Sequence, residues 1–136
     1  MKTLLNILVA MIFSVSLAIS GTCAAAVDTT QTVTGGGVTA KVSFLNPKSG
    51  EDLRFAVVLD THSVNLDTYD LKVVSVLRDD MGKGYLPKDA ENKAGGHHRE
   101  VILIFPKVSP QAKRLELVIK DLAGVKERTF RWTLID

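Results

Sequence analysis

Apolar and polar residues alternate in seven separate stretches of the chain after residue 37. Successive side chains of a β-strand point to opposite faces of a sheet, so such alternation predicts strands with one buried face. The stretches are 38–44, 53–60, 71–77, 84–86, 101–105, 115–119 and 130–134. Turn-forming residues separate them, notably at 46–50, 79–84 and 123–124. No helical period follows residue 27, and only 68–71 and 110–113 are candidates for one helical turn.

Short strands with regularly spaced turn signals predict an all-β fold, an immunoglobulin-like antiparallel β-sandwich of about seven strands. We assign this domain to residues 38–136 and expect Trp132 to pack between its sheets. Residues 27–37 are polar and end in three glycines. This segment is expected to be either a flexible tail or an edge strand with a glycine joint.

The first 26 residues have the order of a secretory signal. Lys2 precedes an apolar run at 4–19, and small residues lead to Ala26. Ala24 and Ala26 occupy the −3 and −1 positions of a cleavage site before Val27. We therefore predict a signal peptide over residues 1–26 and a mature protein that is periplasmic or secreted.

Two alternatives to a cleaved signal stay open. A retained membrane anchor needs about 20 apolar residues, which is more than the run at 4–19 provides. A lipoprotein would be modified at Cys23, but Ser20 and Thr22 stand where a leucine and a small residue are expected before the cysteine.

Composition after residue 26 excludes several function classes. Cleavage removes Cys23, the only cysteine, and with it any disulfide, thiol nucleophile or cysteine metal site. Sixteen basic and fifteen acidic residues remain, and they are interspersed. Because no basic stripe exists, we expect neither nucleic acid nor a membrane surface as the partner, but a protein or a small ligand. No membrane span is expected after signal cleavage.

Strand parity predicts that all three histidines lie at one end of the sandwich. In a simple antiparallel order every second connection lies at the same end, so 61–70, 87–99 and 122–127 share an end. These connections contain His62, His97 and His98, the only histidines of the chain. The inference requires the short strand at 84–86.

Histidine imidazole is the commonest nitrogen ligand for Zn and Cu in proteins. His97 and His98 face opposite ways on a strand, but a turn after Gly95-Gly96 would let both approach one ion. The sequence therefore predicts a transition-metal site with Zn or Cu as its candidate ion and the ligands His62, His97, His98 and Asp60. Other carboxylates near enough in sequence to complete the set are Asp67, Glu91 and Glu100.

A structural role for the histidines is the alternative, since their spacing matches no standard metal motif. The domain would then be a protein-interaction or accessory module. Catalysis is not expected, and we predict that the protein is not an enzyme. Asp60, His62 and Ser63 have the residue types of a hydrolase triad, but such groups converge from separate elements rather than from neighbouring positions.

Two segments resemble motifs of known proteins. Residues 60–67 read DTHSVNLD and residues 95–99 read GGHHR. They resemble motifs in an uncharacterised family of small exported bacterial and archaeal proteins. The resemblance covers most of residues 37–134 and implies a β-sandwich and export, without an activity.

Overall fold

The structure is a computed structural model that describes residues 29–48 and 50–135. The expected signal peptide, residues 1–26, lies outside the described residues. Within the described residues, nine strands form two antiparallel sheets, which confirms the predicted all-β fold. No helix of this part of the chain has the length and apolar character that a membrane crossing requires.

The first sheet, sheet 1, has five strands in the spatial order β1-β2-β3-β7-β6. These strands are β1 (Thr30–Gly35), β2 (Val38–Phe44), β3 (Leu53–Thr61), β6 (Asp89–Ala94) and β7 (His98–Phe105). Sheet 2 has four strands in the order β5-β4-β8-β9. They are β4 (Ser75–Asp79), β5 (Gly84–Tyr85), β8 (Arg114–Leu122) and β9 (Val125–Thr133). A 3-10 helix (Leu66–Thr68) and a four-residue helix, α1 (Leu71–Val74), connect β3 to β4.

Inward-facing side chains of both sheets form one hydrophobic core. Phe44 and Phe55 of sheet 1 contact Trp132 of sheet 2, with ring centroids 5.7 and 5.2 Å apart. Trp132 is buried between the sheets, as predicted, and its Nε1 donates a 3.0 Å hydrogen bond to the Thr29 carbonyl. Side-chain alternation along the strands therefore gives each sheet one buried face, which packs against the other sheet.

Strand β6 lies where the sequence predicted part of a loop at 87–99. The chain leaves sheet 2 after β5 and enters the edge of sheet 1 as β6. Most β6 side chains are exposed and charged or small, so no apolar period marks this strand. β5 and β6 run in the same direction, so the chain does not reverse between them. The extra strand therefore does not change which connections lie at the same end of the sandwich, and the predicted placement of the connections is kept.

The predicted strand at 71–77 begins later than expected. Asp70 Oδ1 accepts a 2.9 Å hydrogen bond from the Lys72 amide and caps α1, so β4 begins only at Ser75. Leu71 of α1 is buried in the core, whereas Val73 is exposed. The apolar residues at 71–74 thus form one turn of helix in which Leu71 is fully buried and Val74 packs partly buried against the core.

The turns at 36–37, 95–97 and 123–124 and the connection 62–74 lie at the same end of the sandwich. We call this end the histidine pole, because all three histidines lie there. Thr29 and Ile135, the first and last described residues, lie at the opposite end.

Candidate functional site

An open pocket of about 480 Å³ lies at the histidine pole, where the outer face of sheet 1 meets the turns. Its lining includes every residue of the predicted metal set, His62, His97, His98 and Asp60, together with Thr34, Gly37, Thr39 and Thr61. The strands and turns therefore bring the four predicted residues to one surface, although they come from distant parts of the sequence.

Four neighbouring strands of sheet 1 each contribute one residue to a row across the pocket. Strand register pairs Thr34 with Thr39, Thr39 with Asp60, and Asp60 with His98. The hydroxyls of Thr34 and Thr39 are 3.1 Å apart. Asp60 Oδ1 is hydrogen-bonded to Nδ1 of His98. The row thus ends in a carboxylate–imidazole pair that remains open to solvent, with about half of each side chain exposed.

His62 and His97 lie beside this row in turns, and both are exposed. Among residues 29–48 and 50–135, neither imidazole has a hydrogen-bond partner. The backbone of His97 is nevertheless fixed, because its carbonyl accepts a 3.0 Å hydrogen bond from the Thr61 amide. Within the part of the chain that the structure describes, both rings therefore keep unbonded nitrogen atoms, while the backbone of the turns is held by hydrogen bonds.

Thr61 joins three segments of the pole. Its hydroxyl donates a 2.7 Å hydrogen bond to the Gly37 carbonyl, which connects β3 to the β1–β2 turn. The same oxygen accepts bonds from the Ser63 and Val64 amides, at 3.3 and 3.1 Å, and so begins the turn after β3. Together with the amide bond to His97, these contacts fix the backbone around the pocket.

Two further contacts hold the connection 62–74 against the β6–β7 turn. Arg99 Nη1 donates to the carbonyls of Leu66, at 2.7 Å, and Tyr69. Asp67 Oδ1 accepts a 3.3 Å hydrogen bond from the amide of Gly96, whose φ of +82° suits glycine. The segments 60–67 and 95–99 therefore form one structural unit, and most of their polar groups are used in building it.

The predicted donor side chains line one pocket but are not gathered around one point. In the part of the chain that the structure describes, no three His, Cys, Asp or Glu side chains form a group that could hold an ion. Asp60, predicted as a ligand, directs a carboxylate oxygen to His98 instead.

The alternative carboxylates do not complete the set. Asp67 bonds the Gly96 amide, and Glu91 is paired with Lys93 at 3.0 Å and Arg54 at 3.1 Å. Lys93, followed by Arg54, lowers the pKa of the Glu91 carboxyl. Glu100 is outside the lining of the pocket. The predicted set is therefore placed together at the pole without these three carboxylates.

Sequence reasoning missed Arg128, which is 1% exposed and lies between the sheets behind the pole. Its guanidinium donates to the carbonyls of Gly35 at 2.8 Å, Leu122 at 3.2 Å and Val38 at 3.3 Å. Burial lowers the pKa of Arg128. The residue thus ties both sheets together beneath the turns that carry the pocket.

A different concavity, of about 470 Å³, lies near the opposite end on the outer face of sheet 2. Most of its charged side chains, though not Arg114, already have partners among the described residues. Glu116 forms ion pairs with Arg131 at 2.9 Å and with Arg78 at 3.6 Å. Asp79 accepts hydrogen bonds from two backbone amides and from a tyrosine hydroxyl. We therefore place the candidate site at the histidine pole.

No family model, curated protein or solved structure matches this chain. The resemblance of 60–67 and 95–99 to motifs of uncharacterised exported proteins stays a prediction.

Proposed function

We propose that this chain is an exported, non-catalytic binding domain whose histidine pole binds a transition-metal ion, Zn(II) or Cu(II). One observation carries the proposal. In a single pocket His98 is held by Asp60, while the imidazoles of His62 and His97 have no partner within the described residues. Imidazole nitrogen is a preferred donor for both ions.

We expect metal binding to proceed by rotamer changes of His62 and His97 in the pocket that they line. His62 and His97 are exposed, and a change of rotamer would break none of the hydrogen bonds formed among residues 29–48 and 50–135. Ordering each side chain costs on the order of 1 kcal/mol. Structural zinc sites gain on the order of 10 kcal/mol from ligation. An ion can therefore gather donors that line one pocket but are not yet convergent.

Metal binding accounts for the pocket better than hydrolysis does. The Asp60–His98 pair has the carboxylate–imidazole arrangement that catalytic triads and metal sites share. A triad also needs a hydroxyl that is hydrogen-bonded to the second ring nitrogen. In residues 29–48 and 50–135 His98 has no such partner.

Calorimetric titration of the tag-free protein with Zn(II) and Cu(II) tests the proposal. We expect one ion per chain with a Kd of about 1 µM or tighter, equivalent to roughly −8 kcal/mol. The H97A/H98A variant should lose at least tenfold in affinity. The control is Glu51→Gln, which removes an exposed carboxylate at the other end. Absent binding, or equal binding by the histidine variant, would overturn the proposal and favour a protein-interaction module.

The strand order supports an immunoglobulin-like assignment of the sandwich. β2, β3, β7 and β6 occupy the positions of strands A, B, E and D, and β4, β8 and β9 those of C, F and G. Trp132 comes from the last strand rather than from the third, so the core differs from that of antibody domains. A crystal structure in which β3 does not pair with β7 would contradict the assignment.

Export is supported by the order of residues 1–26, and the domain would work in the periplasm or outside the cell. Intact mass measurement of the protein recovered from a bacterial periplasm should give a chain that starts at Val27. A mass that retains residues 1–26, or one that carries lipid on Cys23, would contradict cleavage at Ala26.

A further inference from the structure

We infer that Asp60 positions His98 instead of ligating the ion, so that the ion is bound by imidazole nitrogens: Nε2 of His98 together with His62 and His97. This inference rests on the proposed metal-binding function of the same pocket. It changes the predicted donor set, because the one carboxylate in that set becomes a supporting residue.

The strand register makes the Asp60–His98 contact part of the fold. The two residues are direct partners in the antiparallel pairing of β3 with β7. The bond from the Thr61 amide to the His97 carbonyl continues this pairing at the adjacent position. Side chains of directly opposed residues lie on one face of the sheet, so Asp60 reaches His98 without a loop rearrangement.

The contact also determines which nitrogen of His98 can bind metal. A neutral imidazole has one nitrogen that donates and one that accepts. When Nδ1–H donates to the Asp60 carboxylate, the lone pair is left on Nε2. Metal-binding histidines usually have their other nitrogen hydrogen-bonded in this way, and the carboxylate makes the ligand more basic.

A donor set of three imidazoles selects a class of metal. Nitrogen donors suit Zn(II), Cu(II) and Ni(II), whereas Mg(II) and Ca(II) require several oxygen ligands. The pocket also contains threonine hydroxyls, but Thr34 and Thr39 are hydrogen-bonded to each other. We therefore expect millimolar Ca(II) or Mg(II) to leave Zn(II) binding unchanged.

Three carboxylate variants separate positioning from ligation. In Asp60→Ala the hydrogen bond to His98 is lost, and Zn(II) affinity should fall by about 10- to 100-fold, the range seen when such supporting residues are removed. In Asp60→Asn the amide oxygen still accepts from Nδ1 but is a poor metal ligand, so affinity should fall less than about tenfold. Glu51→Gln, the control at the opposite end of the sandwich, should bind as the unaltered protein does.

Nitrogen NMR of the metal-free protein provides a second readout. We expect His98 to carry its proton on Nδ1 in the unaltered protein and in Asp60→Asn, and on Nε2 to a large extent in Asp60→Ala. If Asp60→Asn loses affinity as fully as His98→Ala, Asp60 is a ligand and the inference is wrong. Equal affinity of Asp60→Ala and the unaltered protein would also overturn it. Failure of the unaltered protein to bind Zn(II) would instead refute the proposed function.

Discussion

Individual residues of the segments 60–67 and 95–99 divide into those that build the pocket and those that face it. Thr61, Asp67 and Arg99 fix backbone groups of the turns. His62 and His97 face the pocket without partners among the described residues. This division explains why the histidines are the residues on which the functional proposal depends.

Sequence reasoning could place the histidines at one pole because β6, the strand that it missed between them, runs in the same direction as β5 and leaves the alternation of ends unchanged. It could not pair Asp60 with His98, since a shift of register by one residue would move Asp60 to the opposite face. Arg128 could have been found. It lies an even number of residues before Phe130, Trp132 and Leu134, so the alternation of side chains predicts that it points toward the core as they do.

Replacing Arg128 with methionine should destabilise the fold by about 2–4 kcal/mol, because three backbone carbonyls lose a charged donor. The buried guanidinium has no paired carboxylate among the described residues. Removing it therefore also removes the desolvation penalty of its charge, which offsets part of this cost. Urea unfolding of Arg128→Met measures the difference. Arg131→Met, on the same strand but with a side chain 71% exposed, should change stability by less than about 0.5 kcal/mol. Equal stability of the two variants would contradict the structural role of Arg128.

At the scale of elements, strands with one apolar face were predictable and the others were not. β2 and β3 alternate clearly because one face of each is buried in the core. β6 lacks this signal, since it is a mostly exposed edge strand that hydrogen-bonds β7 through its backbone. The helical turn at 71–74 depends on the Asp70 cap, which apolar spacing does not reveal.

The β4–β5 hairpin is held by a buried polar pair. Asp79 Oδ1 accepts from the Met81 and Lys83 amides at 2.9 Å, and Oδ2 accepts from the Tyr85 hydroxyl at 2.9 Å. The same hydroxyl accepts from the Ser109 amide at 3.2 Å. Burial, with a smaller contribution from Asp79, raises the pKa of Tyr85 above its ordinary value of 10.0.

Stability should therefore depend on Tyr85 differently below and above pH 10. Near pH 7, Tyr85→Phe should lower the free energy of unfolding by about 1–2 kcal/mol, because Asp79 and Ser109 each lose a hydrogen-bond partner. Above about pH 10 the unfolded tyrosine releases its proton while the folded one keeps it, so the unaltered protein loses stability as pH rises through this window. Phenylalanine cannot titrate, so the gap between the two proteins should narrow by pH 11 in urea unfolding. A gap that widens with pH would contradict the raised pKa.

At the scale of the whole molecule, the histidine pole and the ends of the described chain lie at opposite ends of the sandwich. Thr29 accepts bonds from Phe44 and Trp132, and Ile135 pairs with Lys48. A support or fusion attached at either end of the described chain would leave the pocket open. The backbone at Thr29 and at Ile135 therefore lies away from the pocket.

The measurement that tests the central claim most directly is zinc X-ray absorption spectroscopy of the tag-free protein with slightly less than one equivalent of Zn(II). We expect imidazole scattering from three histidines, with Zn–N distances of about 2.0–2.1 Å. The same spectrum should be lost in the H97A/H98A variant. A spectrum of water or buffer oxygen alone, unchanged by the histidine substitutions, would contradict a metal site at the histidine pole.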